Sequence, residues 1–166
     1  MLRIGKLVAT HGLNGQLILT NQAGKSNWLQ KGMILFVAVQ KGSHIPYFVH
    51  QVKAVNDQEY HVLFEDTSTI DMAKKLVGKA VYVETKILEQ AKINSPILWI
   101  GFEVLDTQLG VLGTLTDIAQ TGHQWVGSLN YKGKEVLIPL VAPLLIETNW
   151  ALKQLKVSLP DGLLDL

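Results

Sequence analysis

Residues 47 to 55 read YFVHQVKAV, and the period of two in that stretch constrains the chain more than any other feature. Phe48, His50, Val52 and Ala54 fall on one side, and Val49, Gln51, Lys53 and Val55 on the other. Successive side chains of an extended strand point to opposite faces, so this pattern builds a strand and not a helix. EYHVLFE (59 to 65) and KAVYVE (79 to 84) alternate in the same way. MILFVAVQ (33 to 40) is a β-branched and aromatic run long enough for one strand, and KLVAT and QLILT flank the corner ATHGLNG at residues 9 to 15. Lys41-Gly42-Ser43, Pro46 and Asn56-Asp57 supply turns between the runs. Short strands at this spacing predict a sandwich or a small closed barrel.

One segment breaks the pattern. STIDMAKKLVGK (68 to 79) begins with Ser68 and has Asp71 three residues on, the spacing of a capping box. Ile70, Ala73, Leu76 and Val77 recur at helical spacing, Lys74 and Lys75 complement the dipole, and Gly78 suits the position after the helix. The expectation is a helix of about two turns feeding the 79 to 84 strand. Residues 86 to 98 then lose periodicity and pass through Asn-Ser-Pro, which marks a linker. Strand signals resume with FEVLD, GVLGTLTDI, WVGSLNY, EVLIPLV, LLIET and LKVSL. Tyr131-Lys132-Gly133-Lys134 reads as a hairpin corner, and Pro139 and Pro143 as strand ends or an edge. The second half is therefore also expected to form a small β-barrel or sandwich. The domain boundaries expected are 1–86, a linker at 87–98, and 99–166.

Composition excludes several classes. With 166 residues, 48% hydrophobic and 17% charged, the chain can bury the core of one ordinary domain or two small ones. The net charge of +1 excludes a strongly basic nucleic-acid binder of the usual kind and leaves room for a local basic face. The charge is uneven, with a net of +3 over residues 1 to 90 and −2 over 91 to 166. There is no cysteine, hence no disulfide, thiolate metal site or cysteine nucleophile, which fits a reducing cytosol. The opening MLRIGKLVATHG lacks the apolar run of a signal peptide, and no window approaches 18 uninterrupted apolar residues, so no membrane span is expected.

No catalytic residue, cofactor site or metal site is expected. The histidines, at 11, 44, 50, 61 and 123, form no HExxH pair and no cluster with carboxylates, and the chain has no G-x-S-x-G elbow or Walker loop. GVLG at 110 to 113 reads as a bend or bulge in a strand. His11 has only Thr10 and Asn14 as polar neighbours in sequence, too little for a general base. It reads either as a polar residue leading into a turn or as part of a loop shown to a partner. Asn14-Gly15 suits a two-residue type I′ turn, with Gly12 a second site of backbone freedom that would allow a wider loop or bulge. Trp28, Trp99, Trp125 and Trp150 divide between core and interface, with Trp28, in a polar stretch after Lys25 and Ser26, either capping a barrel end or stacking on a partner.

These stretches, in order, resemble one family. GKLVATHGLNGQLIL resembles the opening signature of the ribosome maturation factor RimM family, glycine-lysine, a strand, T-H-G-L-x-G and another strand. EDTSTIDMAKKLVGKAVYVE (65 to 84), WIGFEVLDTQLGVLGTLTDI (99 to 118), LIPLVAPLLIE (137 to 147) and VSLPDGLLDL (157 to 166) are similar to later segments of the same family. The resemblance implies two β-barrels, an N-terminal one similar to translation-factor barrels and a C-terminal PRC barrel. It implies a cytoplasmic, non-enzymatic assembly factor without cofactor, membrane or small-molecule substrate. The implied partners are the immature 30S subunit, 16S rRNA and ribosomal protein S nineteen, with a role in 16S rRNA processing and head maturation. The motif Thr10, His11, Gly12, Leu13, Asn14 and Gly15 is the implied ribosome-facing loop. Family members commonly carry paired tyrosines and an aspartate just before L-I-G. Here Asn94-Ser95-Pro96-Ile97-Leu98 precedes Trp99-Ile100-Gly101 instead, so Trp99, Gly101 and Phe102 stand as the candidate region for the ribosomal protein. The rival readings are a PRC-barrel adaptor with a non-ribosomal partner and an RNA-processing enzyme.

Overall fold

Strand β1 (Leu2–His11) hydrogen-bonds to a neighbour along each of its edges, and this closes a barrel. The computed structural model describes residues 1–24, 27–91 and 95–166, which divide into two units, Met1–Ser95 and Pro96–Leu166. In the first, β1 pairs with β2 (Gln16–Asn21) on one side and β6 (Ala80–Val83) on the other. With β3 (Ile34–Val37), β4 (Ile45–Ala54) and β5 (Glu59–Phe64) the ring runs β1-β2-β5-β4-β3-β6, every pair antiparallel. Closure leaves no open edge to pair with another chain. In β2 and β5 the alternation of the sequence becomes inside and outside: Leu17, Leu19, Val62 and Phe64 are buried, while Ile18, His61 and Leu63 between them are only partly covered. In β4 a bulge between Val49 and Gln51 interrupts the strict alternation expected over 47–55, so Val49 is buried and Val52 half-buried while Gln51, Lys53 and Val55 are exposed. Gly5 allows the tight path of β1, because a Cβ there would fall on the Thr20 carbonyl.

The helical segment is shorter than its spacing predicts. Helix α1 spans Ile70–Lys74, and its cap is Thr69, not Ser68. Thr69 has the extended backbone a cap needs, and its hydroxyl oxygen accepts from the Met72 N–H at 3.3 Å. The chain then continues in tight turns, Leu76 N–H to the Ala73 carbonyl and Val77 N–H to that of Lys74. Gly78, at φ 87°, ends them and donates its N–H to the Leu7 carbonyl of β1. The stretch expected to be featureless after β6 carries a helix, α2 (Thr85–Gln90), with Leu88 fully buried. Six residues are too few for a helical period to show.

The second unit is a six-stranded sheet in the order β10-β9-β8-β7-β12-β11. Its strands are β7 (Glu103–Asp106), β8 (Gly110–Thr121), β9 (Gln124–Tyr131), β10 (Lys134–Pro139), β11 (Leu145–Asn149) and β12 (Gln154–Val157). All neighbours are antiparallel except β12 and β7, which run parallel. Among the described residues the ladder ends at β10 and β11, and buried side chains from β7, β8, β9, β10 and β12 share one core with Trp99 and Phe102. The chain is thus mainly β, as the alternation predicts. GVLG forms a bulge: Val104 faces Gly113 and Leu105 faces Val111, leaving Leu112 extra and buried. Tyr131 pairs with Lys134 across a two-residue turn in which Lys132 (φ 50°) and Gly133 (φ 83°) both take positive φ.

Asp106 ties the end of β7 to the segment after β12. One carboxylate oxygen accepts from the N–H groups of Gln108 (2.8 Å) and Leu109 (3.0 Å), and the other from that of Leu159 (3.0 Å). Burial alone would raise the carboxyl pKa, but the three backbone donors outweigh it and hold it below the ordinary aspartate value. A carboxyl whose folded pKa lies below its unfolded one stabilises at neutral pH, and the gain is lost as pH falls through the folded value. Asp106→Ala should destabilise by about 1–3 kcal/mol in urea unfolding at pH 7, the usual effect of removing hydrogen bonds to a charged group. Asp106→Asn keeps one acceptor oxygen, and its unfolding curve should lack the part of the wild-type stability loss that appears below about pH 4.

Candidate functional site

The corner at residues 10 to 15 is a four-residue loop. His11 pairs with Gln16, so Gly12, Leu13, Asn14 and Gly15 make the turn between β1 and β2. The type I′ turn expected at Asn14-Gly15 does not form: the positive φ values sit at Gly12 (67°) and Gly15 (85°), and Asn14 has none. The two intervening residues let the strands separate wider than an I′ turn allows. Gly15 is buried, and a Cβ on it would fall on the Thr67 carbonyl and lie 3.1 Å from the Thr69 nitrogen. The loop is thereby pinned against the start of α1 by backbone contact. Thr10 is half-buried, His11, Gly12 and Asn14 are exposed, and Leu13 is 79% exposed.

His11 packs against a second histidine. Its ring lies over that of His61, with centroids 4.0 Å apart and planes 31° from parallel. His61 projects from β5, beside Ile18 of β2 and Lys53 of β4, with its Nε2 3.7 Å from a Glu59 carboxylate oxygen. Next to this stack is a groove of about 560 Å³. Lys31, His50, Lys53 and His61 line it together with Gln16, Gln30 and Gln51, over Leu29 and Val52, and no carboxylate lines it. Among the described residues no group of three or more His, Asp or Glu is placed to hold a metal, and no helix is long and apolar enough to cross a membrane. The arrangement offers charge, hydrogen bonds and planar faces, which is equipment for binding.

The second candidate region is built differently. Trp99 closes a 3-10 turn at Pro96–Trp99, and Gly101, at φ 89°, donates its N–H to the Leu115 carbonyl at 2.8 Å. Trp99 is 8% and Phe102 4% exposed, so the aromatic surface anticipated from them is core. Phe102 instead supports Trp150, packing edge to face at a centroid distance of 5.3 Å. Trp150 is 47% and Leu152 66% exposed, in the hairpin loop between β11 and β12. That tryptophan was visible in the sequence; its neighbours in space were not. Trp28 is buried at 6%, while Lys25, Ser26 and Asn94, named beside these aromatics, lie outside the described residues.

Residues 2–88 match the family model described as RimM N-terminal domain, and residues 98–163 the one described as RimM PRC barrel domain. The ribosome maturation factor RimM of Parabacteroides distasonis is 31% identical, over 99% of this chain and 95% of that protein. That of Ruminiclostridium cellulolyticum is 32% identical, over 98% of this chain and 96% of that protein. Of solved structures, the N-terminal domain of RimM from Thermus thermophilus is 22% identical over 52% of this chain and 91% of that chain, with a TM-score of 0.41.

The two glycines of the corner should differ sharply on substitution. At Gly12 nothing lies within 4 Å of a new Cβ, so Gly12→Ala meets only the left-handed backbone penalty, about 1–2 kcal/mol. Gly15→Ala adds a backbone collision and should lower the denaturant midpoint well beyond Gly12→Ala. Equal midpoints for the two variants would show that the loop is not pinned at Thr67.

Proposed function

The chain belongs to the RimM family, and from that premise we propose that it binds the immature 30S subunit and promotes 16S rRNA processing and maturation of the subunit head without catalysing a reaction. The observation that carries this reading is the length of the likeness: relatives named ribosome maturation factors align over 99% of this chain and 95% of their own length, across both units. The non-catalytic part of this reading is in keeping with those relatives, which are named as maturation factors. The working compartment in this reading is the cytoplasm, where ribosomes are assembled.

The two modules, residues 1–86 and 99–166 with 87–98 between them, take different partners in this proposal. The first faces 16S rRNA, in keeping with its net positive charge and the loop Thr10 to Gly15. The second contacts ribosomal protein S nineteen near Trp99, Gly101 and Phe102, with Trp150 as the exposed aromatic that Phe102 holds in place. Exposed aromatics on a rigid support are the usual anchors of protein interfaces.

Deleting the gene should slow maturation of the small subunit and leave unprocessed 16S precursor, read by sucrose gradient and primer extension. A normal subunit profile with fully processed rRNA would contradict the proposal. In the complemented strain His11→Ala should reduce subunit binding only partly, whereas complete loss of processing with binding intact would point to an enzyme.

A further inference from the structure

We propose that the groove on the outside of the first barrel, between β2, β4, β5 and the segment before β3, is a binding site for single-stranded RNA, with Lys31 and Lys53 neutralising its phosphates. The inference rests on the assembly-factor reading and adds to it a location and a chemistry. Charge is the first argument. Two lysines and two imidazoles line the groove, no carboxylate does, and among the described residues neither lysine is paired with an acid. The Glu59 carboxylate lies outside the lining and is turned to His61. A chain with a net charge of only +1 that keeps one concavity free of acids has a local field suited to a polyanion.

Shape and hydrogen bonding choose among polyanions. The volume of about 560 Å³ lies within the roughly 300–1,000 Å³ of small-ligand sites, so it holds a nucleotide-sized group and not a duplex. Gln16 and Gln51 each donate and accept, and Gln30, whose amide nitrogen donates to the Asn27 carbonyl at 3.1 Å, adds an acceptor oxygen, a set that matches base edges and the 2′-hydroxyl. Leu29 is buried and Val52 half-buried, giving an apolar floor for a sugar or base. The His11–His61 stack stands at the rim, and planar rings there suit an unstacked base. All the polar groups project from a closed barrel or from the segment before β3, so their backbone positions are set by the fold.

The test uses the full-length protein, a fluorescein-labelled single-stranded oligoribonucleotide of mixed sequence, and complementation of the deletion strain. Lys31→Ala/Lys53→Ala should weaken binding at least tenfold at low salt. It should also flatten the slope of log K against log salt by about 1.4, from roughly 0.7 per phosphate contact to a single strand. Lys41→Ala, an exposed lysine off the groove, should change neither, and all variants should keep the wild-type urea midpoint because these lysines are exposed. If the wild type rescues the deletion and binds the oligoribonucleotide, but the double variant binds it equally well with the same slope, the groove is wrong and the assembly-factor reading stands. Rescue by a wild type that binds no RNA would also overturn the groove and indicate a protein ligand. A wild type that fails to rescue would remove the reading on which the groove depends.

Discussion

Two backbone contacts that admit no side chain set the geometry of the first barrel. At Gly5 the chain of β1 runs so close to Thr20 of β2 that a Cβ would fall on its carbonyl, and at Gly15 the same holds against Thr67. The first lies where β1, paired with β2, also pairs with β6 on its other edge, and the second ties the β1–β2 loop to the segment that starts α1. Closure takes all six pairings of the ring, and the two glycines supply the closest backbone approaches along β1 and its loop. His11 ends that strand, so the same constraint holds its ring over His61 at the rim of the groove. The groove lies on an outer face of a ring whose inner face is filled by Leu17, Leu19, Val62 and Phe64.

The two units solve the problem of exposed polar backbone differently. The first pairs every strand on both sides, whereas the second has a ladder with ends and fastens its last segment through the Asp106 carboxylate. Three N–H donors on one carboxylate keep it charged in a buried place, which makes it a staple at neutral pH. Surface chemistry divides along the same line. Polar, cationic and acid-free lining marks the groove of the first unit, while an aromatic supported by a buried aromatic marks the β11–β12 loop of the second.

The strand runs were legible because a period of two (59–65, 79–84) or a β-branched and aromatic run (33–40) survives in a single sequence, although the bulge in β4 was not, and the turns were legible where glycine or proline sat between them. The errors lie where several residues compete for one role. Ser68 and Thr69 are both good caps, and the backbone at Thr69 decides. Asn-Gly at 14 and 15 is a stronger hairpin signal than Lys-Gly at 132 and 133, yet the two-residue turn forms at the latter, where Asn130 accepts from the Gly133 N–H at 3.0 Å. At the former, Gly12 is available to carry the left-handed residue earlier, and the loop widens to four. Trp99 and Phe102 look like surface aromatics in sequence because their partners Val104, Leu115 and Leu129 arrive from other strands. The groove was not legible at all: Gln16, Lys31, Lys53 and His61 come from four separate stretches, and only the pairing of β2, β5 and β4, with the segment before β3 beside them, brings them together.

The central claim is that this barrel pair recognises an unfinished small subunit. Co-sedimentation of the purified full-length protein with immature 30S particles from the deletion strain, against mature 30S subunits at the same salt, tests it most directly. The protein should pellet with the immature particles and stay largely in the supernatant with the mature ones. Equal partition between the two, or no association with either, would contradict the claim.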